Sequence, residues 1–112
     1  MIESEVKKAL RDLVVDLVNG RYDLLTESNR IGRLTEEEIR EGIQEYGGTL
    51  TIPPEEAYNT CRMLRLDRGS EFAIAFDMWI DNHRSVLTLT CDVTVDDQEQ
   101  KVVEIKIDLH VL

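Results

Sequence analysis

The sequence predicts an α+β fold in which N-terminal helices pack on one face of a curved antiparallel β-meander of about four strands. Two observations carry this prediction. Before residue 48, apolar residues recur at three- and four-residue steps, as on one face of a helix; after residue 60 they alternate with polar residues, as in half-buried strands. The 112 residues, of which 42% are hydrophobic, fit one domain over 1–112, with its helical part at 1–48 and its sheet at 61–112.

Two principal helices are predicted from their apolar faces and their ends. The first should end at Asn19-Gly20, because glycine adopts the left-handed C-terminal conformation without strain. The second should begin at the T-x-x-E capping box of Thr35 and Glu38 and end at Gly47-Gly48. A brief strand is expected at 50–52, before two prolines. The apolar face of the first helix comprises Ile2, Val6, Ala9, Leu10, Leu13, Val14, Leu17 and Val18.

The alternating runs also predict how the strands pair, since a slip of one residue would turn an apolar set away from the core. A four-residue loop, Asp81 to Arg84, would place Ile80 opposite Ser85. In the following hairpin, Asp92 should face Lys106, an opposite-charge pair that supports the register. The same registers pair Met78 with Leu87, Phe76 with Leu89, Val93 with Ile105 and Cys91 with Ile107. The expected core combines Leu13, Leu17, Phe76, Leu89 and Ile107.

The net charge favours a basic protein partner. Thirteen basic and twenty-three acidic side chains give −10, which repels nucleic acid and anionic membrane surfaces, so neither is an expected partner. No apolar run approaches the ~20 residues of a membrane span, and the N-terminus lacks the apolar core of a signal peptide. We therefore expect a cytoplasmic protein in which Cys61 and Cys91 are reduced thiols.

Catalytic motifs are lacking, and we expect neither an enzyme nor a cofactor. The predicted register places Asp77 and His110 in one row with Thr88 between them, about 10 Å apart and too far for a direct dyad. Two histidines and two distant cysteines do not form a metal site, and no H-E-x-x-H, P-loop, G-x-G-x-x-G or G-x-S-x-G pattern occurs.

A partner-binding surface is the more promising kind of site. By parity Trp79 faces away from the helices, in a row with Val86 and Leu112, so the outer sheet face is less polar than a solvated face. Either this face is an interface or residues 50–58 fold over it; the sequence leaves both open. The expected partner-binding residues are the anchor Trp79 and the acidic Glu37, Glu41, Glu45, Glu55, Glu56, Asp77, Asp96 and Asp97.

The C-terminal third, from Trp79 to Leu112, resembles small uncharacterised bacterial proteins. Two segments carry the likeness: Arg84-Ser85-Val86-Leu87-Thr88-Leu89 and Asp108-Leu109-His110-Val111-Leu112. The order of elements is similar to the cone-shaped nuclear-transport-factor-like or cystatin-like folds, and several such acidic proteins are similar to immunity proteins encoded beside bacterial toxins. The resemblance implies a fold and carries over no catalytic residue.

Our leading hypothesis is therefore an immunity- or antitoxin-type inhibitor that occupies the basic cleft of a toxin such as a nuclease. One alternative is a small ligand-binding or catalytic cone-fold domain with a pocket between helices and sheet. The predicted core faces contain no ionisable residue, which argues against it. The other alternative is a homodimeric accessory protein that pairs outer sheet faces around Trp79.

Overall fold

The computed structural model describes residues 2–32, 34–66 and 70–107. Its single sheet is antiparallel throughout, with the strands in sequence order, so the predicted α+β class and meander are confirmed. No helix in these residues is long and apolar enough to cross a membrane. The elements are α1 (Ile2–Val18), α2 (Tyr22–Glu27), α3 (Glu36–Tyr46), a 3₁₀ helix (Glu55–Thr60), β1 (Arg62–Arg65), β2 (Glu71–Ile80), β3 (His83–Asp96) and β4 (Lys101–Ile107).

The core lies between the helices and the inner face of the sheet. Along β2 the residues alternate between half-buried and buried, and the buried set is the apolar one, as the period of two requires. The predicted central residues Leu13, Leu17, Phe76, Leu89 and Ile107 are all buried in one cluster.

The ends of α3 follow the predicted capping chemistry. The Thr35 hydroxyl accepts a hydrogen bond from the Glu38 backbone N–H at 3.1 Å, and the Glu38 carboxylate accepts one from the Thr35 N–H at 3.0 Å. At the other end Gly47 has a positive φ of 91°. Ile39 is the residue of this helix that is buried. The helix therefore touches the core along one narrow edge and leaves most of its surface in solvent.

The register at the tip of the β2–β3 hairpin differs from the predicted one. The loop has two residues, Asp81 and Asn82, and Ile80 pairs with His83 rather than with Ser85. Both loop residues have positive φ, 52° and 66°, as a type I′ turn requires, and Asp and Asn tolerate this region better than most residues. The tighter turn matches the twist of the strands, which is why it replaces the expected four-residue loop.

A β-bulge at Met78 then corrects the register. Trp79 pairs with Arg84 and Asp77 pairs with Thr88, so three residues of β3 oppose Met78 alone. Beyond the bulge Phe76 pairs with Leu89, as predicted. The pairing of Met78 with Leu87 and the row that joined Trp79 to Val86 are wrong, because the bulge turns residues 85–87 out of the regular ladder.

The β3–β4 hairpin has the predicted register over most of its length. Asp92 faces Lys106, Val93 faces Ile105 and Cys91 faces Ile107. The shift that follows, between Thr94 and Val95, lies close to the loop and leaves the core pairs unchanged.

Residues 50–52 run along the edge of β2 without forming the predicted strand. Leu50 makes an isolated bridge with Ile80, and the Thr51 N–H donates to the Trp79 carbonyl at 3.0 Å. Pro53 and Pro54 have no N–H to donate, so the ladder cannot continue past them.

Candidate functional site

The outer side of α3 is a row of carboxylates. Glu37, Glu41 and Glu45 follow each other at four-residue steps, which places them on one side of the helix, and all three are exposed. None of them takes part in an ion pair within the described residues. Their negative charge is therefore available to a partner.

An exposed aromatic and an exposed aliphatic side chain border this row at the C-terminal end of α3. The Tyr46 hydroxyl accepts a hydrogen bond from the Val86 N–H at 3.2 Å. Tyr46 is 42% exposed and Val86 is 79% exposed. Sequence reasoning missed this pair, because only the bulge brings Val86 out of the sheet to meet the helix. We call Glu37, Glu41, Glu45, Tyr46 and Val86 the α3 surface.

Most of the other predicted acidic residues are already engaged within the chain. Glu55 forms an ion pair with Arg11 of α1, and Asp97 forms one with Arg65 at 2.6 Å. The Asp96 carboxylate accepts hydrogen bonds from the backbone N–H groups of the next loop residues, at 3.0 and 3.2 Å. Of the loop acids, Glu56 is exposed and has no ion pair among the described residues.

Nor do the predicted acidic residues form one surface. The hairpin tip at Asp81 lies against Gly48, just after α3: a Cβ built at Gly48 would be 2.9 Å from an Asp81 carboxylate oxygen. Asp96 is the last residue of β3, at the opposite end of that strand, and Asp97 follows it. The paired length between these ends is about 30 Å at ~3.3 Å per residue. The C-terminal end of α3 and the 96–97 loop therefore lie at opposite ends of the sheet.

Asp77 is held by two arginines. Its carboxylate accepts hydrogen bonds from Arg84 at 2.6 and 3.1 Å, from Thr88 at 3.2 Å and from Arg62 at 3.4 Å, and its side chain is 15% exposed. Burial by itself would raise the pKa of this carboxyl. The hydrogen bonds from Arg84 and Thr88 and the charges of both arginines outweigh burial, so the pKa of Asp77 lies below its usual value.

This pairing bears on both roles considered for Asp77. Two guanidinium groups already neutralise its charge, so it offers little to a basic partner. A carboxylate with a lowered pKa is also a weak base near neutral pH. His110, the other half of the predicted dyad, lies outside the described residues.

Trp79 lines a recess at the edge of the sheet. It is half-buried, and residues 54–61 border the recess without filling it. Leu112, its other expected neighbour, lies outside the described residues. The recess has a volume of about 260 Å³ and is lined by Pro54, Glu56, Ala57, Thr60, Cys61, Phe76, Asp77, Trp79 and Arg84.

A second cavity, between α3 and the inner sheet face, is almost wholly apolar. It measures about 40 Å³ and is lined by Leu17, Ile39, Gly42, Ile43, Leu50, Met78, Leu87, Thr88, Leu89 and Ile107. Thr88 uses its hydroxyl on Asp77, away from this cavity. Within the described residues no group of His, Cys, Asp and Glu side chains could hold a metal ion.

Comparison with known proteins finds one family. The family model described as "Domain of unknown function (DUF7668)" matches residues 14–112. No curated protein and no solved structure matches the chain.

Proposed function

Because the chain belongs to the DUF7668 family of unknown function, we propose a role from its surface: an inhibitor of the immunity or antitoxin type. It acts in the cytoplasm, where it binds a basic protein through the α3 surface. The observation that carries this proposal is the row of Glu37, Glu41 and Glu45. These carboxylates are exposed and form no ion pair among the described residues, whereas Glu55, Asp77 and Asp97 are paired.

The composition of α3 supports attraction of a cationic surface. Its eleven residues carry five glutamates and one arginine, so it contributes −4 of the chain's charge of −10. Charge of one sign concentrated on one element raises the rate of encounter with an oppositely charged partner. A nuclease is such a partner, since a cleft that binds phosphate must be basic.

Tyr46 and Val86 offer an apolar contact, which the carboxylates of α3 do not. Carboxylates at a rim steer association, whereas apolar and aromatic groups that become buried slow dissociation. Here the exposed pair lies directly after Glu45, so a partner drawn to the helix meets an apolar contact at its end. This pair takes the anchoring role that the sequence had assigned to Trp79, which is instead half-buried in the edge recess.

Charge reversal tests the steering role. The product of the neighbouring gene is co-expressed with the chain, and the association rate of the purified pair is measured at low and high salt. Replacing Glu37, Glu41 and Glu45 by Lys should slow association about tenfold or more at low salt, and added salt should reduce the difference, since the Debye length is ~8–10 Å near physiological ionic strength.

The matched control changes the same charge elsewhere. Glu3, Glu5 and Asp12 are also exposed acids, and they lie on α1. Their replacement by Lys should slow association far less, because the charge is lost away from the contact. Equal effects of the two triple variants would mean that only net charge matters. Absence of binding by the unmodified pair would reject this gene product as the partner.

A second pair of variants tests the anchor. Val86→Asp should mainly speed dissociation, whereas Val103→Asp, at a residue that is 61% exposed on β4, should leave the complex unchanged. If the two variants dissociate at the same rate, Val86 is not part of the interface.

A further inference from the structure

The edge recess exists because β1 is shorter than its neighbour. β1 pairs with residues 72–75 of β2 only, and residues 54–61 border the rest of that edge. A 3₁₀ helix does not fill the space of a strand, so a notch remains. Its apolar lining comes from Pro54, Ala57, Phe76 and Trp79.

One wall of this notch is a fixed cation. Arg84 donates from both Nε and Nη2 to one carboxylate oxygen of Asp77, at 3.1 and 2.6 Å, which fixes the plane of its guanidinium. Its Nη1 makes no hydrogen bond within the described residues. Arg62 approaches the other oxygen of Asp77 at 3.4 Å. Arg62 and Arg84 together outweigh the charge of Asp77 by one, and Glu56, which also lines the recess, offsets that excess.

We propose that the edge recess binds a small aromatic acid, with its ring against the Trp79 indole and its carboxylate on the guanidinium of Arg84. A flat ring suits an aromatic wall, and arginine is the side chain best shaped for a carboxylate. Asp77 holds Arg84 in place before the ligand arrives, so little side-chain freedom is lost on binding. The recess, at about 260 Å³, is somewhat smaller than the ~300–1,000 Å³ of sites for drug-sized molecules and suits a single ring.

Glu56 restricts which acids are accepted. It lines the same recess, is exposed and has no ion pair within the described residues. Its charge repels a carboxylate at Arg84, so a ligand with one negative charge is favoured over one with two. This site is separate from the α3 surface, and its occupation does not depend on the proposed inhibitor role.

The intrinsic fluorescence of the chain reports on the site directly, because Trp79 is its single tryptophan. Benzoate is the probe, benzyl alcohol keeps the ring without the charge, and acetate keeps the charge without the ring. Benzoate should change the Trp79 emission saturably, and the other two should require at least about tenfold higher concentration. If benzyl alcohol changes the emission at the same concentration as benzoate, Arg84 does not bind the carboxylate. If acetate does so, the ring does not contribute to binding.

Substitutions then locate the site. Arg84→Gln should weaken benzoate binding about tenfold or more, and Arg21→Gln, at an arginine of similar exposure beside α2, should not change it. Glu56→Gln should tighten binding about two- to fivefold, since it removes the repulsion without touching the Asp77 pairs. Because Glu56 is exposed, this variant stays informative even if Arg84→Gln fails to fold. No saturable benzoate signal, or no tightening by Glu56→Gln, overturns the proposal.

Discussion

The ring of Tyr58 lies parallel to the ring of Phe76, with the two centroids 5.0 Å apart and the planes at 5°. This stack joins the 3₁₀ helix to β2, and Tyr58 is only 2% exposed. Its hydroxyl is buried without a hydrogen-bond partner among the described residues. The aromatic ring therefore stabilises the contact, while the hydroxyl carries a desolvation cost.

Tyr58→Phe should accordingly leave the free energy of unfolding unchanged or raise it by up to about 1 kcal/mol. Tyr58→Ala should lower it by about 3–5 kcal/mol, because the ring is lost from a filled site. Urea unfolding of the three proteins measures both changes. A clear loss of stability in Tyr58→Phe would show that the hydroxyl has a bonding partner.

Because of the same Tyr58 hydroxyl, we expect the folded chain to lose stability at alkaline pH. Burial raises the pKa of Tyr58 to about 12 from an ordinary 10.0; the Arg11 charge opposes the rise and the Glu55 charge adds to it. The unfolded chain thus releases this proton at lower pH than the folded one. This group therefore leaves the free energy of unfolding unchanged below about pH 10. As pH rises from about 10 towards about 12, the free energy of unfolding falls by about 2–3 kcal/mol. Because Tyr58→Phe shares every other titration, the stability of the wild type relative to this variant should fall over that range.

Gly32 and Gly42 should respond to alanine in opposite directions. A Cβ at Gly32 would lie 2.3 Å from the carbonyl oxygen of Ile107, and Gly32 has a φ of +70°. Gly32→Ala should therefore cost about 2 kcal/mol or more, as backbone strain and a clash with β4 combine. Gly42 lies inside α3 with nothing within 4 Å of its Cβ position, so Gly42→Ala should add about 0.5–1 kcal/mol. Thermal unfolding of both variants checks the pair, and a stable Gly32→Ala protein would mean that residues 30–32 can move away from β4.

Truncation on the two faces of the sheet should have very different costs. Leu89→Ala and Ile107→Ala remove buried methyl groups, at 6% and 3% exposure, and each should lower the free energy of unfolding by about 2–5 kcal/mol. Val103→Ala is the control on the exposed side of β4 and should cost less than about 0.5 kcal/mol. Denaturant series on the three variants give the comparison; near-neutral results for both core variants would mean that the faces are reversed.

The two cysteines should both react slowly in the folded chain, for related reasons. Cys91 is 1% exposed, so a thiol reagent reaches it only after local opening. Burial raises the pKa of the half-buried Cys61 thiol, a rise that the nearby Lys7 charge only partly offsets, so little reactive thiolate forms near neutral pH. Titration with a coloured disulfide reagent should be slow in native buffer and complete in denaturant. Rapid reaction of one native thiol would locate an opening at Cys61.

Most of the fold could be predicted from local patterns. The capping box at Thr35 and the period of two in β2 each depend on residues close in sequence, and each is present as expected. In β4 the period holds at Ile105 and Ile107 but is wrong for Val103, which is the extra residue at the register shift and is 61% exposed. The β3–β4 register was also readable, because a wrong pairing would have exposed a whole apolar set. The short α2 was not predicted, since six residues are too few to show a helical period.

The candidate sites depend on contacts that sequence spacing does not encode. The carboxylates of Glu37, Glu41 and Glu45 were identified from the sequence. That none of the described arginines pairs with them follows from where those arginines lie after folding. The pairing of Asp77 with Arg84 arises from the two-residue turn and the bulge at Met78. These two features compensate for each other, so the core pattern alone could not reveal them.

The sequence by itself determined the α+β class, the core faces and the acidic α3, because each of these follows from periodicity and composition over neighbouring residues. Only the tertiary structure decided which charges remain available and where a recess opens. The two-residue turn moved Arg84 from the expected loop to the position opposite Trp79, and the short β1 left the notch beside them. Such arrangements depend on the balance between turn strain, strand pairing and packing across the whole domain, and that balance cannot be read from one segment at a time.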